Sequence, residues 1–231
     1  MALVLAGGSG TRMGRPKQFL DLLGLPALLH CLRAFEECPD VARVYAVGDG
    51  ARVKELVGEA GFSKYVACAL PGEARSFSTK NGLDLLSHEP PETIVLVHDG
   101  SRCLLTPELI GRVVEAALAD RTVGVVPAVP VSDTIKVAED GAVKETLDRS
   151  KLHAVQTPQA FPLRVLREVY GGSEESLRVA TDDASLVEAS GGRVVVVPGE
   201  KTNIKLTEPA DLIFAEAILG ARLGPRHEVR N

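Results

Sequence analysis

The 231-residue sequence lacks a long apolar run, an excess of positive charge and a cysteine-rich pattern, and each absence excludes a class of protein. Without about 20 consecutive apolar residues, no membrane-spanning helix is expected. The formal net charge of −5 argues against a nucleic-acid-binding surface, although a local basic site is compatible with it. The first residues carry no basic segment of the kind that opens a signal peptide.

The four cysteines form no CxxC pair, and no histidine stands at zinc-ligand spacing from them. We therefore expect reduced, mostly buried thiols and a cytoplasmic location. Hydrophobic residues make up 45% of the chain, which is typical of a globular protein. The length is sufficient for one α/β domain with a proper core.

Short apolar runs alternate along the chain with amphipathic segments of helical length. The predicted strands are residues 3–6, 43–47, 65–69, 93–97, 122–129 and 193–197, and the predicted helices lie near 26–37, 51–59, 75–87, 107–119, 162–170, 181–190 and 208–220. Because these strands are apolar throughout, we expect both of their faces to be buried. The alternation predicts an α/β fold of Rossmann-like type, with a mostly parallel sheet flanked by helices.

Residues 131–157 interrupt this alternation. They contain two segments of alternating polarity around a turn at Glu139-Asp140-Gly141, which predicts a protruding β-ribbon. A ribbon that cannot bury a face by itself usually packs on another surface, and a partner subunit is the natural candidate. The sequence thus predicts a single domain over residues 1–231 with a β-arm at about 131–157.

The first predicted strand runs into LAGGSGTRMGRPK, a glycine-rich segment that also holds an arginine and a lysine. In open α/β sheets, ligands bind beyond the carboxyl ends of the strands. Gly7, Gly8 and Gly10 permit a tight turn whose amides can face phosphate oxygens. Arg12 and Lys17 suit nucleotidyl transfer, because fixed cations stabilise the negative charge that develops around the α-phosphorus.

Two other phosphate-binding motifs fit this segment less well. The P-loop requires Gly-Lys followed by Ser or Thr, whereas the chain has Gly14-Arg15-Pro16-Lys17. The dinucleotide motif GxGxxG would place its third glycine one residue before Gly14. It also requires an acidic residue about 20 positions further on, after the second strand, and the first one there, Asp49, is too distant. A nicotinamide-dependent dehydrogenase and a non-catalytic nucleotide sensor are therefore the weaker alternatives.

The predicted strand TIVLV leads into HDGSR, which places Asp99 at the carboxyl end of a buried strand. Mg²⁺ prefers oxygen ligands and keeps much of its shell as water and phosphate, so one or two protein carboxylates suffice. We therefore predict that Asp99 is the metal ligand. His98 is expected to be structural, since a phosphate acceptor is already ionised and needs no general base.

Eight motifs occur in order along the chain: AGGSGTRMG..PKQF, GEARSFSTKNGL, VHDGSR, SDTIK, LDRS, TPQAF, TDDASLVE and NIKLTEPADL. With them the sequence closely resembles the 2-C-methyl-D-erythritol 4-phosphate cytidylyltransferases over about residues 3–218. The resemblance implies a fold of the nucleotide-diphospho-sugar transferase type. It also implies magnesium-dependent transfer of CMP from CTP to methylerythritol phosphate, giving 4-diphosphocytidyl-2-C-methyl-D-erythritol and pyrophosphate in non-mevalonate isoprenoid biosynthesis. A ribitol 5-phosphate cytidylyltransferase stays open as the alternative.

The predicted site residues fall into four groups. The resemblance implies their roles, which for Gly7, Gly8, Gly10, Arg12, Lys17 and Asp99 the residues also indicate. Nucleotide binding is assigned to Ala6, Gly7, Gly8, Gly10, Gly72, Glu73 and Ser78, with backbone groups at Gly72 and Glu73 reading the cytosine edge. Catalysis is assigned to Arg12, Lys17 and Lys205, the metal to Asp99, and acceptor binding to Arg102, Thr134, Arg149, Thr157 and Thr181. In this family the ribbon exchanges across a homodimer, so Thr134 and Arg149 would complete the neighbouring subunit's site.

Some features depart from the family pattern or allow a second role. The family usually has VHDAARP, so Gly100-Ser101 is expected to loosen the turn after Asp99. Thr181 is expected also to cap the helix that follows it. Arg75 is expected to begin the helix of the GEARSFSTKNGL motif, with phosphate contact as a weaker alternative.

Overall fold

The computed structural model describes residues 1–8, 10, 14 and 16–224. Its strands are β1 Ala2–Leu5, β2 Asp21–Leu22, β3 Leu25–Pro26, β4 Val44–Val47, β5 Tyr65–Ala69, β6 Ile94–Asp99, β7 Gly124–Pro130, β8 Lys136–Glu139, β9 Ala142–Thr146, β10 His153–Val155, β11 Gln159–Pro162 and β12 Val194–Pro198. Its α-helices are α1 Ala27–Glu37, α2 Gly50–Ala60, α3 Arg75–Asp84, α4 Pro107–Ala119, α5 Leu163–Tyr170, α6 Glu174–Val179, α7 Asp183–Ala189 and α8 Pro209–Leu223. Every strand and helix predicted outside the ribbon is found, with ends within about three residues of the prediction.

The central sheet has eight strands. Seven follow the order β10-β7-β11-β6-β1-β4-β5, and the eighth, β12, also pairs with β7. The pairs β1·β4, β1·β6, β4·β5 and β7·β12 are parallel, whereas β10 and β11 run antiparallel to their neighbours. The predicted, mostly parallel sheet is thus confirmed. Its strands β1, β4 and β6 all end at the same edge, where the candidate site lies.

Two buried clusters cover the two faces of the sheet. Alternate residues of β1 point to opposite faces, so Val4 packs with α1, α2 and α4 while Leu3 packs with α3, α5 and α7. Val4 and Leu3 are both fully buried. Burial of apolar side chains on both faces is the main stabilising contribution and explains why these strands are apolar throughout.

The hairpin β8–β9 lies off the central sheet, and all of its residues are exposed. Asp140 and Gly141 at its turn have φ values of 50° and 79°, as a type I′ turn requires. The hairpin is shorter than the predicted ribbon, because His153–Val155 pairs with β7 in the central sheet. Polarity alternation alone does not show which strand a segment joins.

Some short elements were not predicted: α6, the β2–β3 pair, and strands β10 and β11. Strands of two to four residues carry too few positions for a periodic pattern. In the part of the chain that the structure describes, no helix has the length and apolarity needed to cross a bilayer.

Candidate active site

The glycine-rich segment begins where β1 ends, at the carboxyl edge of the sheet. A Cβ atom on Gly7 would lie 2.3 Å from Cβ of Pro71, so a side chain there would push apart the segments after β1 and β5. Gly10 has a φ of 68°, in the left-handed region that favours glycine. Arg12 lies outside the described residues.

The side chain of Gln18 holds this segment in place. Its Nε2 atom donates to the carbonyl oxygens of Ala6, at 2.7 Å, and Gly8, at 3.1 Å. Gln18 lies in a single 3₁₀ turn, Lys17–Phe19, and is almost completely buried. Lys17 therefore stands on a turn that is tied directly to the glycine loop, a connection that the sequence did not reveal.

A cleft of about 420 Å³ opens between the glycine loop and the segment after β5. It is lined by six of the seven predicted nucleotide-binding residues, Ala6, Gly7, Gly8, Gly72, Glu73 and Ser78, and by Lys17, Asp99 and Lys205. Gly10, the seventh, is not among the lining residues. We call this space the first cleft.

Gly72 and Ser78 form a fixed corner of the first cleft. A Cβ on Gly72 would lie 2.5 Å from Cβ of Phe77, which requires glycine here. The amide of Gly72 donates to Oγ of Ser78 at 3.0 Å, and that hydroxyl donates to the carbonyl oxygen of Ala74 at 3.1 Å. The Gly72 amide is therefore engaged by Ser78, and Glu73 forms an ion pair with Arg178 at 2.5 Å.

A second cleft, of about 170 Å³, adjoins the first. Three of the predicted acceptor-binding residues line it: Arg102, Thr157 and Thr181. Arg75, Asp99 and Lys205 line both clefts, and we call these three residues the junction. A group bound in one cleft could reach a group bound in the other at the junction.

Asp99 lies between two cations at the junction. Its Oδ1 accepts from Nε of Arg75 at 2.8 Å, and its Oδ2 accepts from Nζ of Lys205 at 2.7 Å. Burial by itself would raise the pKa of Asp99, but the charges of Arg75 and Lys205 lower it well below its usual range. Asp99 is therefore a carboxylate at any physiological pH. Lys205 belongs to the loop between β12 and α8.

Behind Asp99, a buried histidine and a threonine fix the end of β6. The backbone amide of Asp99 donates to Oγ1 of Thr157 at 3.1 Å. The Thr157 hydroxyl lies 3.0 Å from Nδ1 of His98, and Nε2 of His98 lies 3.2 Å from the carbonyl oxygen of Arg102. Burial lowers the pKa of His98 to about 4. A neutral imidazole that accepts from Thr157 and donates to Arg102 satisfies both contacts and is structural, as predicted.

Arg75 connects Asp99 to a second, fully buried carboxylate. Its Nη2 lies 2.8 Å from Oδ2 of Asp183. Oδ1 of Asp183 accepts from the hydroxyl groups of Tyr170, at 2.6 Å, and Thr79, at 3.3 Å. Burial would lower the pKa of Arg75, but Asp183 and Asp99 raise it. Sequence reasoning missed Asp183, and the acidic pair in TDDAS was the available signal.

Arg102 and Thr181, which are predicted to bind the acceptor, both line the second cleft. Nη1 of Arg102 donates to the carbonyl oxygen of Asn203 at 2.8 Å, while its buried Nε has no partner among the described residues. Burial lowers the pKa of Arg102. The expectation that Thr181 caps α7 is wrong. The N-cap is Asp182, whose side chain accepts from the Ser185 amide at 2.8 Å.

Thr134 precedes β8 and Arg149 follows β9, so both lie at the base of the hairpin. Neither residue lines a cleft of its own chain. Both are exposed, and Nη1 of Arg149 donates to the carbonyl oxygen of Ser132 at 2.8 Å. The turn at Gly100-Ser101 is not loosened, contrary to the expectation from sequence. The Gly100 amide donates to the carbonyl oxygen of Leu5 at 2.8 Å, and Gly100 and Ser101 are both buried.

A glycine loop at the carboxyl edge of the sheet, next to a cleft with a lysine and a carboxylate, is the arrangement expected of a nucleotidyltransferase. Comparison with known proteins gives the family. The model of the 2-C-methyl-D-erythritol 4-phosphate cytidylyltransferase family matches residues 1–221. The chain belongs to this family.

Named relatives and solved structures agree with this assignment. The cytidylyltransferase of this name from Rubrobacter xylanophilus is 62% identical over 222 residues, covering 96% of this chain and 95% of the relative. The one from Geobacillus kaustophilus is 42% identical, with 96% and 97% covered. The crystal structure of the enzyme from Thermus thermophilus superimposes with a TM-score of 0.75 at 34% identity, covering 94% of this chain and 97% of that one. The dehydrogenase and sensor alternatives are thereby set aside.

Proposed function

We propose that the two clefts hold the two substrates of a cytidylyltransferase, CTP in the first and 2-C-methyl-D-erythritol 4-phosphate in the second. A phosphate oxygen of the acceptor attacks the α-phosphorus of CTP in line, and the bond from that phosphorus to the β-phosphate oxygen breaks. Pyrophosphate leaves with the bonding electrons, and 4-diphosphocytidyl-2-C-methyl-D-erythritol forms. The observation that carries this assignment is the junction, which lines both clefts.

The chain contributes position and charge to this reaction. Lys17 and Lys205 line the first cleft, where their ammonium groups offset the charge that accumulates on the triphosphate. Arg102 binds the acceptor in the second cleft, because its buried guanidinium lacks a carboxylate partner among the described residues. Arg12 stays a predicted catalytic residue on sequence grounds. The reaction needs no covalent enzyme intermediate.

Asp99 is the proposed ligand of Mg²⁺, since members of this family are nucleotidyltransferases that commonly use a divalent metal. Each of its carboxylate oxygens accepts one hydrogen bond and keeps a second lone pair. The described residues contain no cluster of three metal-binding side chains, so phosphate and water would supply the other ligands. Bound Mg²⁺ would neutralise charge on the phosphates. Turnover lost on chelation and restored by Mg²⁺ would support this assignment.

The remaining proposals concern assembly and location. We propose that residues 1–231 form one domain whose arm, at about 131–157, contacts a second subunit in a homodimer. The exposed side chains of Val137 and Val143 on the hairpin support an interface there. We also propose a cytoplasmic location, which suits four cysteines that are free, three of them buried.

The direct test is magnesium-dependent release of pyrophosphate from CTP with two acceptors in parallel. Turnover with methylerythritol phosphate and none with ribitol 5-phosphate is the expected result. Turnover with ribitol phosphate alone would keep the mechanism and replace the acceptor. Lys17→Ala should lose most turnover while remaining folded, and near-full activity would remove Lys17 from the mechanism.

A further inference from the structure

Arg75 begins α3 and occupies the junction, and the proposed function gives it no role, although the sequence offered phosphate contact as a weaker alternative. Its side chain lines both clefts and keeps 26% of its surface exposed. Two of its three guanidinium nitrogens are held on different sides, Nε by Asp99 and Nη2 by Asp183, both at 2.8 Å. Because the guanidinium is planar and rigid, two such contacts fix the direction of its remaining edge.

Asp183 is built to hold this arginine. Its side chain is completely buried and receives hydroxyl donors from Tyr170 on α5 and Thr79 on α3, in addition to Arg75. A buried ion pair is weak evidence for stability, since apolar residues of the same volume often stabilise a fold equally well. A carboxylate with three donors from three positions instead fixes geometry, which is what a reaction centre needs.

Electrostatics at the junction favour the same conclusion. Asp99 already accepts from Lys205, so Arg75 is not required to keep Asp99 paired. With Asp183 balancing its charge behind the clefts, Arg75 can present a cation to a phosphate without drawing Asp99 away from Lys205. Without the Asp183 charge, Nη2 of Arg75 would lose its carboxylate partner, and Asp99 alone would hold the guanidinium.

We propose that Arg75 contacts the reacting phosphate at the junction and that Asp183 is the positioning residue that directs it there, an inference that rests on the proposed function. Arg75 would then be a catalytic residue alongside Lys17 and Lys205. Asp183 acts only through Arg75, and this dependence makes the proposal testable.

The test compares Asp183→Asn, Arg75→Gln and the double variant, with kcat, both KM values and urea unfolding measured for each. Asparagine keeps the shape of aspartate and can accept hydrogen bonds, but it lacks the charge. We expect Asp183→Asn to lower kcat about 10- to 100-fold and Arg75→Gln about 100- to 1,000-fold, with smaller changes in KM for CTP.

The double variant separates positioning from stability. Its kcat should stay within about twofold of that of Arg75→Gln, because Asp183 has no further effect once Arg75 is gone. Its resistance to urea should exceed that of Arg75→Gln, because a neutral amide without a guanidinium partner is easier to bury than a carboxylate. Recovery of kcat together with stability would show a merely structural role and overturn the proposal.

A matched control lies at the opposite edge of the sheet. Glu89 forms an ion pair with Arg43, just before β4, and accepts from the hydroxyl group of Tyr45 at 3.5 Å. Glu89→Gln makes the same chemical change in an arginine–carboxylate–tyrosine group outside both clefts, so kcat should not change.

Two further results would overturn the inference. If Asp183→Asn keeps kcat within about twofold of wild type, or if its effect multiplies that of Arg75→Gln, then Asp183 does not act through Arg75. If the wild-type protein turns over both substrates and the Asp183 and Arg75 variants keep its kcat, this inference fails and the proposed function stands. Wild-type protein without turnover would overturn the proposed function and this inference together.

Discussion

Nζ of Lys205 lies 2.7 Å from Oδ2 of Asp99, a contact between residues that are 106 positions apart in the chain. Lys205 reaches Asp99 from the loop between β12 and α8, while Arg75 holds the other carboxylate oxygen. Lys205 thus holds Asp99 and also brings a cation to the border of the two clefts.

Replacing Lys205 should therefore impair catalysis far more than folding. Lys205→Met keeps the length of the side chain and removes its charge, and we expect kcat to fall about 100- to 1,000-fold. Lys201→Met, at an exposed lysine of the same loop, is the matched control and should leave kcat unchanged. Steady-state pyrophosphate release measures both variants. Equal activity of the two would show that the charge of Lys205 is not used.

The pH dependence of stability should report the buried imidazole of His98. Burial lowers its pKa to about 4 in the folded protein, against 6.5 for an exposed histidine. The unfolded chain binds this proton more readily, so the contribution is fully present above pH 6.5 and is lost as the pH falls toward 4. The loss is about 3 kcal/mol in the free energy of unfolding.

Urea unfolding at pH 7, 6, 5 and 4 measures this contribution. His98→Gln should be less stable at pH 7 but should lose less stability than wild type on acidification. His88→Gln, at an exposed histidine, should keep the wild-type dependence on pH. Identical pH slopes for His98→Gln and wild type would contradict a neutral, buried His98.

Gln18 should influence nucleotide binding through the loop that it holds. Gln18→Leu fills a similar volume but removes both hydrogen bonds to Ala6 and Gly8. At about 1 kcal/mol for each net hydrogen bond, KM for CTP should rise about 10- to 30-fold. The KM for methylerythritol phosphate serves as the internal control and should change little. If both KM values rise equally, the loop does not act on the nucleotide alone.

Mixing two inactive variants tests whether the arm serves the neighbouring subunit. Consider a heterodimer of one Lys17→Ala subunit and one Arg149→Ala subunit. If the arms are exchanged, one of its two sites combines the intact Lys17 of one subunit with the intact Arg149 of the other. After dissociation and random reassociation, activity should recover to about a quarter of the wild-type value. An arm that serves its own subunit leaves no intact site, so the mixture would stay inactive. Each variant alone, treated identically, gives the baseline.

The sequence predicted the fold because its main strands are buried on both faces and its helices are amphipathic. The alternation of apolar runs and helical segments identified six strands of the central sheet. It did not identify β10 and β11, because a segment of three or four residues next to a polar ribbon carries no distinct period. Their partners depend on long-range pairing with β6 and β7.

For the site, the motifs predicted most of the residues that line the clefts. They did not predict the hydrogen-bond partners that hold those residues. Asp99 was predicted from its place at the carboxyl end of a buried strand, whereas Arg102 and Lys205 were predicted from the resemblance to the family. Asp183 and Gln18 were not found, because their partners are distant in the chain or are backbone carbonyl oxygens. Hydrogen bonds of this kind leave no periodic signal in a sequence.

The order in which the chain is made gives the junction a further consequence. The glycine loop and the segment after β5 belong to the first third of the chain, whereas Arg75 meets Asp183 across 108 positions and Asp99 meets Lys205 across 106. A growing chain therefore has Lys17 and Arg75 long before it has Asp183 and Lys205, the late residues that hold Arg75 and Asp99 in place. Catalytic competence arrives only with the completed fold, so turnover is a direct assay of how much protein has finished folding.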